Sequence, residues 1–237
     1  MHIKLRKFIA SILAFVLSIS VVGFKEISRI YAYESNKSEI DRIVLTNNEL
    51  TTYKGLDIAK HQYDTTKMNE KERDLYNILL EKEYERQESS LDKQGVSKEE
   101  FINELKMILG NDYLVKQDSM IKYKAKGKKK ATRLISVGAL GSALNIVITA
   151  TLIATGVGSI GELVKKLGKQ GAKKWVKKHL FAKIVSVLAR VGAKKLGKWV
   201  GAFVVSIIDK YLDPGIFLAK KFDSVDIVPN SGYIELW

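Results

Sequence analysis

The chain has 237 residues, of which 46% are apolar, 40 are lysine or arginine and 26 are aspartate or glutamate. This size and composition fit one or two folded domains and exclude a chain that is disordered throughout. With no cysteine and only three histidines, disulfide frameworks and thiolate metal sites are also excluded. No motif identifies a reaction, and we predict a protein that is not an enzyme and has no cofactor and no metal site.

The first 32 residues have the layout of a secretory signal peptide. Three basic residues within the first seven precede the 17 uncharged residues 8–24, and a short polar stretch ends at Ala32 and Tyr33. We predict cleavage after Ala32, with Gly23 as a second candidate site, and therefore a secreted protein. An uncleaved anchor is the alternative, since 17 apolar residues approach the length of a membrane span.

The charge of the remaining chain divides it into an acidic and a basic part. Residues 33–120 carry 13 basic and 19 acidic residues, whereas residues 121–237 carry 22 and six. The overall charge of +14 predicts an anionic partner. Export argues against nucleic acid, and so does the ratio of 33 lysines to seven arginines, so we expect this partner to be anionic membrane lipid.

Residues 33–121 are predicted to form an acidic helical pro-segment. Two capping boxes mark helix starts, Asn69 with Glu72 and Ser97 with Glu100, and Gly110 is expected to end the second helix, residues 98–109, in a left-handed conformation. The first helix is predicted to bury one narrow face: Leu75, Ile78, Leu79 and Tyr84. The segment either neutralises and covers the basic part during export or is simply a solvated helical domain, in which Glu81, Glu83 and Glu85 belong to a charged helix face.

Residues 122–133 form a basic junction with seven basic residues in twelve. One interpretation is a processing site for an extracellular protease at Lys128, Lys129, Lys130 and Arg133. Another is a polybasic anchor that contributes about 1 kcal/mol per lysine at an anionic membrane. A flexible solvated linker is the third.

An uncharged stretch of 28 residues, 134–161, follows the junction. It is long enough to cross a membrane as one helix, but its glycines equally favour a buried core helix over about residues 142–155. Both interpretations stay open at this point.

The next segment is predicted to be an amphipathic helix with a lysine face. The lysines lie in two columns at helical spacing, and Trp175 lies on the apolar side, as interfacial membrane binding requires. Residues 181–212 repeat the pattern and place a small residue at every fourth position from Ala189 to Gly201, which favours close helix packing. His179 is interpreted as an interfacial or partly packed side chain. The predicted membrane-binding residues are Lys165, Lys166, Lys169, Lys173, Lys174, Trp175, Lys177, Lys178, Lys194, Lys195, Lys198 and Trp199.

The sequence after residue 212 is expected to be non-helical. Asp213-Pro214-Gly215 is predicted to end the helical region, since proline disfavours helix at the preceding residue. The tail is interpreted as a small hairpin around residues 229–232 or as an extended segment.

The passage SALNIVITATLIATGVGSIGELVKKLGKQGAKKWVKKHL resembles the saposin-like cationic helical bacteriocins of Gram-positive bacteria, including the circular enterocin types. The similarity covers about residues 134–212. It implies a compact bundle of about four or five α-helices that permeabilises bacterial membranes, with Lys165 to Lys178, Trp175 and Trp199 in the membrane-contacting region. The chain departs from the family in its export signal, its acidic segment and its longer basic half, so circularisation is not predicted.

These observations predict an all-α protein in four parts. They are a signal peptide (1–32), an acidic pro-segment (33–121), a basic junction (122–133) and a cationic membrane-active helical domain (134–237). The predicted function is that of a secreted bacteriocin precursor. Its expected partners are anionic lipid, its own pro-segment, an immunity protein and further copies of itself in the membrane. The alternatives are a cell-envelope interaction protein anchored by a span at about 134–160, and an exported binder of anionic polymers such as teichoic acid.

Overall fold

The computed structural model describes residues 63–94, 96–110, 122–124, 130–209 and 213–236. The predictions for the signal peptide with Ala32 and Tyr33, and for Lys128 and Lys129, lie outside these residues. Of the described residues, 76% are helical, which confirms the all-α class. The α-helices of this part of the chain are α1 (Glu70–Gln94), α2 (Lys98–Leu109), α3 (Val137–Ala154), α4 (Ile160–Arg190), α5 (Gly197–Phe203) and α6 (Pro214–Asp223).

Both predicted capping boxes start a helix. At the start of α1, the backbone N–H of Glu72 donates to Asn69 Oδ1 at 3.0 Å, and Glu72 Oε2 accepts from the backbone N–H of Asn69 at 2.9 Å. Ser97 Oγ accepts from the Glu100 N–H at 3.2 Å and starts α2. The prediction of a left-handed Gly110 is wrong, because its φ is −79°. Its N–H donates to the Lys106 carbonyl at 2.8 Å and closes the last turn of α2.

Helix α1 buries a wider face than its sequence predicts. Leu75 and Leu79 are buried, as expected, but so are Tyr76, Leu80 and Glu83. The reason is that α1 packs against both α2 and α3 and so has two neighbours instead of one. The assignment of Glu83 to a solvated face is therefore wrong.

Helix α3 lies at the centre of the fold. Ser136 caps it by accepting from the Ala139 N–H at 3.1 Å, so it starts at Val137, five residues before the expected position. Fifteen of its eighteen residues are buried against α1, α2, α4 and α6. By length and composition α3 could cross a membrane, and in the folded chain it is the core helix.

Helix α4 carries the lysine segment and is kinked. Gly168 has a φ of 66°, in the left-handed region that glycine tolerates, and it divides α4 into a short first and a long second segment. The buried positions of the second segment follow one another at helical spacing: Ala172, Val176, Leu180, Ile184, Val187 and Leu188. The chain then turns at Gly192 (φ 77°) and passes through α5 and a 3-10 turn, Val204–Asp209.

The C-terminal region differs from two expectations, the end of the helical region at Asp213 and the local hairpin, whereas the expected extended segment is present as a strand. Asp213 caps a further helix, α6, by accepting from the Ile216 N–H at 3.3 Å, and Pro214 occupies the first turn, where its missing N–H costs nothing. No local hairpin forms in residues 224–236. Instead the last strand pairs back with the basic junction.

A small antiparallel sheet joins the junction to the C-terminus. Strand β1 (Lys122–Lys124), strand β2 (Lys130–Ser136) and strand β3 (Tyr233–Leu236) lie in the order β1-β2-β3. The register places Arg133 opposite Glu235. The described part of the junction is thus strand and does not form the flexible linker of the third interpretation.

Candidate functional site

The predicted lysine face is exposed along most of α4 and the turn that follows it. Lys173 is half-buried, and the other predicted lysines are exposed: Lys165, Lys166, Lys169, Lys174, Lys177, Lys178, Lys194, Lys195 and Lys198. The kink at Gly168 separates the first two from the rest, so the predicted columns are not continuous. Lys169 pairs with Asp209 at 3.3 Å on the surface.

The two predicted tryptophans have different surroundings. Trp199 is 37% exposed, whereas Trp175 is half-buried, packs against the core and stacks on His179 with ring centroids 4.6 Å apart. Partial burial, Lys178 and Lys183 hold the pKa of His179 below its ordinary value. Trp199 also stacks on Phe203, with ring centroids 5.8 Å apart, so both tryptophans contribute to packing and Trp199 is the more exposed of the two.

Phe181 is an exposed aromatic residue that sequence reasoning missed. It is 39% exposed and lies four residues after Lys177, on the lysine face and not on the apolar one. That spacing is the pattern that could have found it. It also lies beside α5, because a Cβ on Gly201 would be 3.6 Å from the Phe181 ring.

Helix α5 packs beside this part of α4. Its glycines face α4, Gly201 toward Phe181 and Gly197 toward Val185. On the outer side of α5, Lys198 Nζ lies 5.6 Å from the Trp199 ring centroid. We use the name basic aromatic surface for five exposed residues of these two helices: Lys177, Lys178, Phe181, Lys198 and Trp199.

A second notable feature is a polar cluster inside the fold, centred on Asn145 of α3. Asn145 Nδ2 donates to Glu83 Oε2 at 3.2 Å and to Asp213 Oδ1 at 2.7 Å. Asn145 Oδ1 accepts from the Gly215 N–H at 2.6 Å, and Arg86 pairs with Glu83 at 2.5 Å. We call these five residues the Asn145 cluster; it links α1, α3 and the start of α6.

The Asn145 cluster is only partly satisfied. Burial raises the pKa of Glu83 to about 7, against the lowering effects of the Arg86 charge and the Asn145 hydrogen bond. Ser142 Oγ also faces Glu83 and contributes to lowering its pKa, whereas Arg86 Nε is buried without a hydrogen-bond partner among the described residues. An ionised Glu83 therefore carries a desolvation cost that its neighbours only partly offset.

Close packing of α3 and α6 positions Asn145. A Cβ on Gly215 would lie 2.5 Å from both the backbone nitrogen and the Oδ1 of Asn145, and it would also overlap the Gly141 carbonyl. Only glycine permits the two backbones to come this close. The approach brings the Gly215 N–H within hydrogen-bonding distance of Asn145.

The acidic helices have ion-pair partners within their own segment. Lys98 pairs with Glu81 at 2.5 Å, between α2 and α1, and Arg86 pairs with Glu83. At the end of α2, the Leu109 carbonyl accepts from Arg190 of α4. The acidic helices thus lie over α3 and reach only the end of α4.

Asp223, Asp226 and Glu235 are the group of described residues that could hold a metal ion, since their ligand atoms lie within 4.8 Å of one another. Backbone N–H groups of the same loop donate to these carboxylates: Ser231 and Gly232 to Asp223, and Val228 and Glu235 to Asp226. Burial raises the pKa of Asp226 to about 7. These hydrogen bonds hold the C-terminal tail against the end of α6.

Two predicted processing residues, Lys130 and Arg133, lie in β2. This strand pairs with β1 on one side and β3 on the other. A protease that binds its substrate as an extended chain needs the sheet to open before it can cut there.

Comparisons with protein-family models, with curated proteins and with solved structures find no match to this chain.

Proposed function

We propose that the chain is the precursor of a secreted antimicrobial protein whose cationic helical part, residues 134–237, binds and permeabilises anionic bacterial membranes. The observation that carries this proposal is the combination of α3, apolar and buried along its length, with a lysine-rich α4 whose charges face outward. A core helix of this length can span the hydrocarbon layer of a bilayer. The lysine charges of α4 can pair with the lipid headgroups.

The basic aromatic surface is the proposed first point of contact. Lysine ammonium groups attract lipid phosphates, and exposed aromatic rings partition to headgroup depth. Lys177 and Lys178 supply charge beside Phe181, and Lys198 supplies it beside Trp199. This pairing of charge with exposed rings favours an anionic membrane over a soluble anionic polymer, which has no use for the rings.

In this proposal the acidic helices α1 and α2 act as a cover for α3. They pack on α3 and leave the basic aromatic surface open, so they restrain insertion without neutralising the lysines. The resemblance to saposin-like bacteriocins supports the same mode of action, and with it an immunity protein in the producing cell. The active form is expected to associate with further copies in the membrane.

The experiment is vesicle binding and dye release by the exported full chain, using vesicles with and without phosphatidylglycerol. The double variant Lys177→Glu/Lys178→Glu is compared with Lys220→Glu/Lys221→Glu, which makes the same charge change on α6, where both lysines are also exposed. At about 1 kcal/mol per lysine, the loss of the two lysines alone should weaken binding roughly thirtyfold relative to wild type, and the two added glutamates should weaken it further. Equal effects of the two variants, or the absence of dye release at every concentration, would contradict the proposal.

A second candidate is a membrane-anchored envelope protein, which is favoured by one observation, the length and composition of α3. Intact mass of the supernatant and membrane fractions of an expressing Gram-positive host separates the two functions. A released fragment that starts between residues 121 and 134 supports the toxin precursor. A full-length chain that stays in the membrane supports the anchor.

A further inference from the structure

The Asn145 cluster is the buried polar contact between the acidic helices and the apolar helix. Glu83 of α1 is 3% exposed and Asn145 of α3 is 1% exposed, and their side chains meet across 62 residues of chain. The rest of the buried face of α1 is largely apolar, with Leu75, Leu79 and Leu80. Apolar packing is non-directional, whereas a buried hydrogen bond fixes one register of α1 on α3.

Water can replace part of this contact when α1 separates from α3. Arg86 Nε is buried without a hydrogen-bond partner among the described residues, and it regains hydration if α1 lifts away. Asn145 keeps its bonds to Asp213 and Gly215, which both belong to the α6 side of the cluster. Besides the apolar contacts of α1, opening costs the Glu83–Asn145 hydrogen bond and the 3.9 Å approach of Arg86 to Asp213.

We propose that the Glu83–Asn145 hydrogen bond is an autoinhibitory contact. While it is made, α1 and α2 cover α3, and its loss exposes α3 to anionic lipid. This inference rests on the proposed function, because it assigns a regulator to the membrane-active helix.

Protonation of Glu83 makes the strength of this contact depend on pH. The groups that face Glu83 are Arg86 on α1 itself, Asp213 at the start of α6, and the uncharged Asn145 and Ser142 of α3. With Glu83 ionised, the cluster holds two carboxylates and one guanidinium; with Glu83 protonated, the charges balance. The cover is therefore expected to be tighter below about pH 7 and looser above it.

The test is the initial rate of dye release from phosphatidylglycerol vesicles by the full chain. Glu83→Ala removes the acceptor, and Glu83→Gln keeps an acceptor oxygen without the charge. Glu85→Ala is the matched control, because Glu85 is an exposed carboxylate on the same helix. Ile184→Ala is the stability control, because Ile184 is fully buried in α4, away from the contact. Urea unfolding of each variant ranks their global stability.

At about pH 6, where Glu83 is protonated, we expect Glu83→Ala to release dye roughly ten- to hundredfold faster than wild type, because Asn145 Nδ2 and Arg86 lose a buried partner. Glu85→Ala should match wild type. Glu83→Gln should remain slow, and the ratio of wild-type to Glu83→Gln rates should rise between about pH 6 and about pH 8.

Two results would overturn the inference. One is that Glu83→Ala and Ile184→Ala release dye at the same rate when Ile184→Ala is as stable as Glu83→Ala or less stable. Dye release would then follow global unfolding and not the loss of this contact. The other is a rate for Glu83→Ala no higher than wild type. A control distinguishes this second result from failure of the proposed function. Wild-type chain is unfolded in urea, which uncovers α3, and is then diluted into the vesicles. If that chain releases no dye, α3 is not membrane-active at all.

Discussion

Neutralising Glu83 should remove a pH dependence of folding stability that belongs to this one carboxyl group. Burial raises the pKa of Glu83 from the ordinary 4.5 to about 7 in the folded chain. The folded state therefore holds a proton that the unfolded chain has already released between these two values. The resulting stabilisation is complete below about pH 4.5 and is lost as the pH rises through 7.

The magnitude follows from the separation of the two pKa values. It corresponds to about 3 kcal/mol in total, most of which is lost between pH 5 and pH 8. The variant Glu83→Gln cannot ionise and should lack this loss. The substitution also changes the pairing of residue 83 with Arg86, which itself lies 3.9 Å from Asp213. This change shifts the free energy of unfolding by an amount that does not vary with pH.

The assay is urea unfolding of wild type and Glu83→Gln, followed by circular dichroism from about pH 5 to about pH 8. The quantity of interest is the difference in free energy of unfolding between the two chains, because Asp226 and other titrating groups cancel in it. Glu85→Gln, at an exposed carboxylate, should give a flat difference. A difference for Glu83→Gln that stays within about 0.5 kcal/mol would refute the burial of Glu83 against α3.

Five further substitutions have defined outcomes in urea unfolding or vesicle binding. Gly215→Ala should lower the free energy of unfolding by about 2 kcal/mol or more, since its Cβ overlaps the α3 backbone. Gly138→Ala, whose Cβ would make an ordinary 4.0 Å contact with Ser136 Oγ, should leave the free energy unchanged or raise it by up to about 1 kcal/mol. Ser136→Ala should cost about 1 kcal/mol through loss of the α3 cap. Trp199→Ala should weaken binding to anionic vesicles and, through loss of its stacking on Phe203, lower the urea midpoint somewhat, whereas Trp175→Ala should lower the midpoint because its ring packs on the core.

Features governed by neighbouring residues could be predicted from the sequence. The capping boxes at Asn69 and Ser97 and the bounds of α2 depend on hydrogen bonds within four residues, and the structure has them as predicted. Asp213 shows the limit of this reasoning. An Asp-Pro pair ends one helix and can equally cap the next one, and the cap formed here because α6 packs on α3.

Features governed by distant residues could not be predicted. Glu83 has two charged neighbours at alternate positions, Glu81 and Glu85, and only the packing of α3 against α1 distinguishes it from them. One pattern pointed to it indirectly. Asn145 is a strongly polar side chain within an otherwise apolar helix, and a buried amide needs partners from elsewhere in the chain. Sequence spacing could not say which carboxylate supplies one.

The arrangement of charge and cover predicts an order of events at the membrane. Because α1 and α2 lie on α3 and not on the basic aromatic surface, the proposed function predicts that the folded chain binds lipid while α3 is still covered. Binding should therefore precede dye release, with a lag that reports the opening of α1. Stopped-flow mixing with anionic vesicles can follow tryptophan fluorescence for binding and dye release for permeabilisation.

In that experiment the lag should shorten in Glu83→Ala at an unchanged binding rate, because the substitution weakens the cover and leaves the lysines in place. In Lys177→Glu/Lys178→Glu the binding rate should fall at an unchanged lag, because attraction to the surface acts before the cover opens. Dye release as fast as binding in wild type would mean that α3 is uncovered before contact. The acidic helices would then be a folding aid and not a restraint, since a cover that opens first in solution leaves nothing for the membrane to trigger.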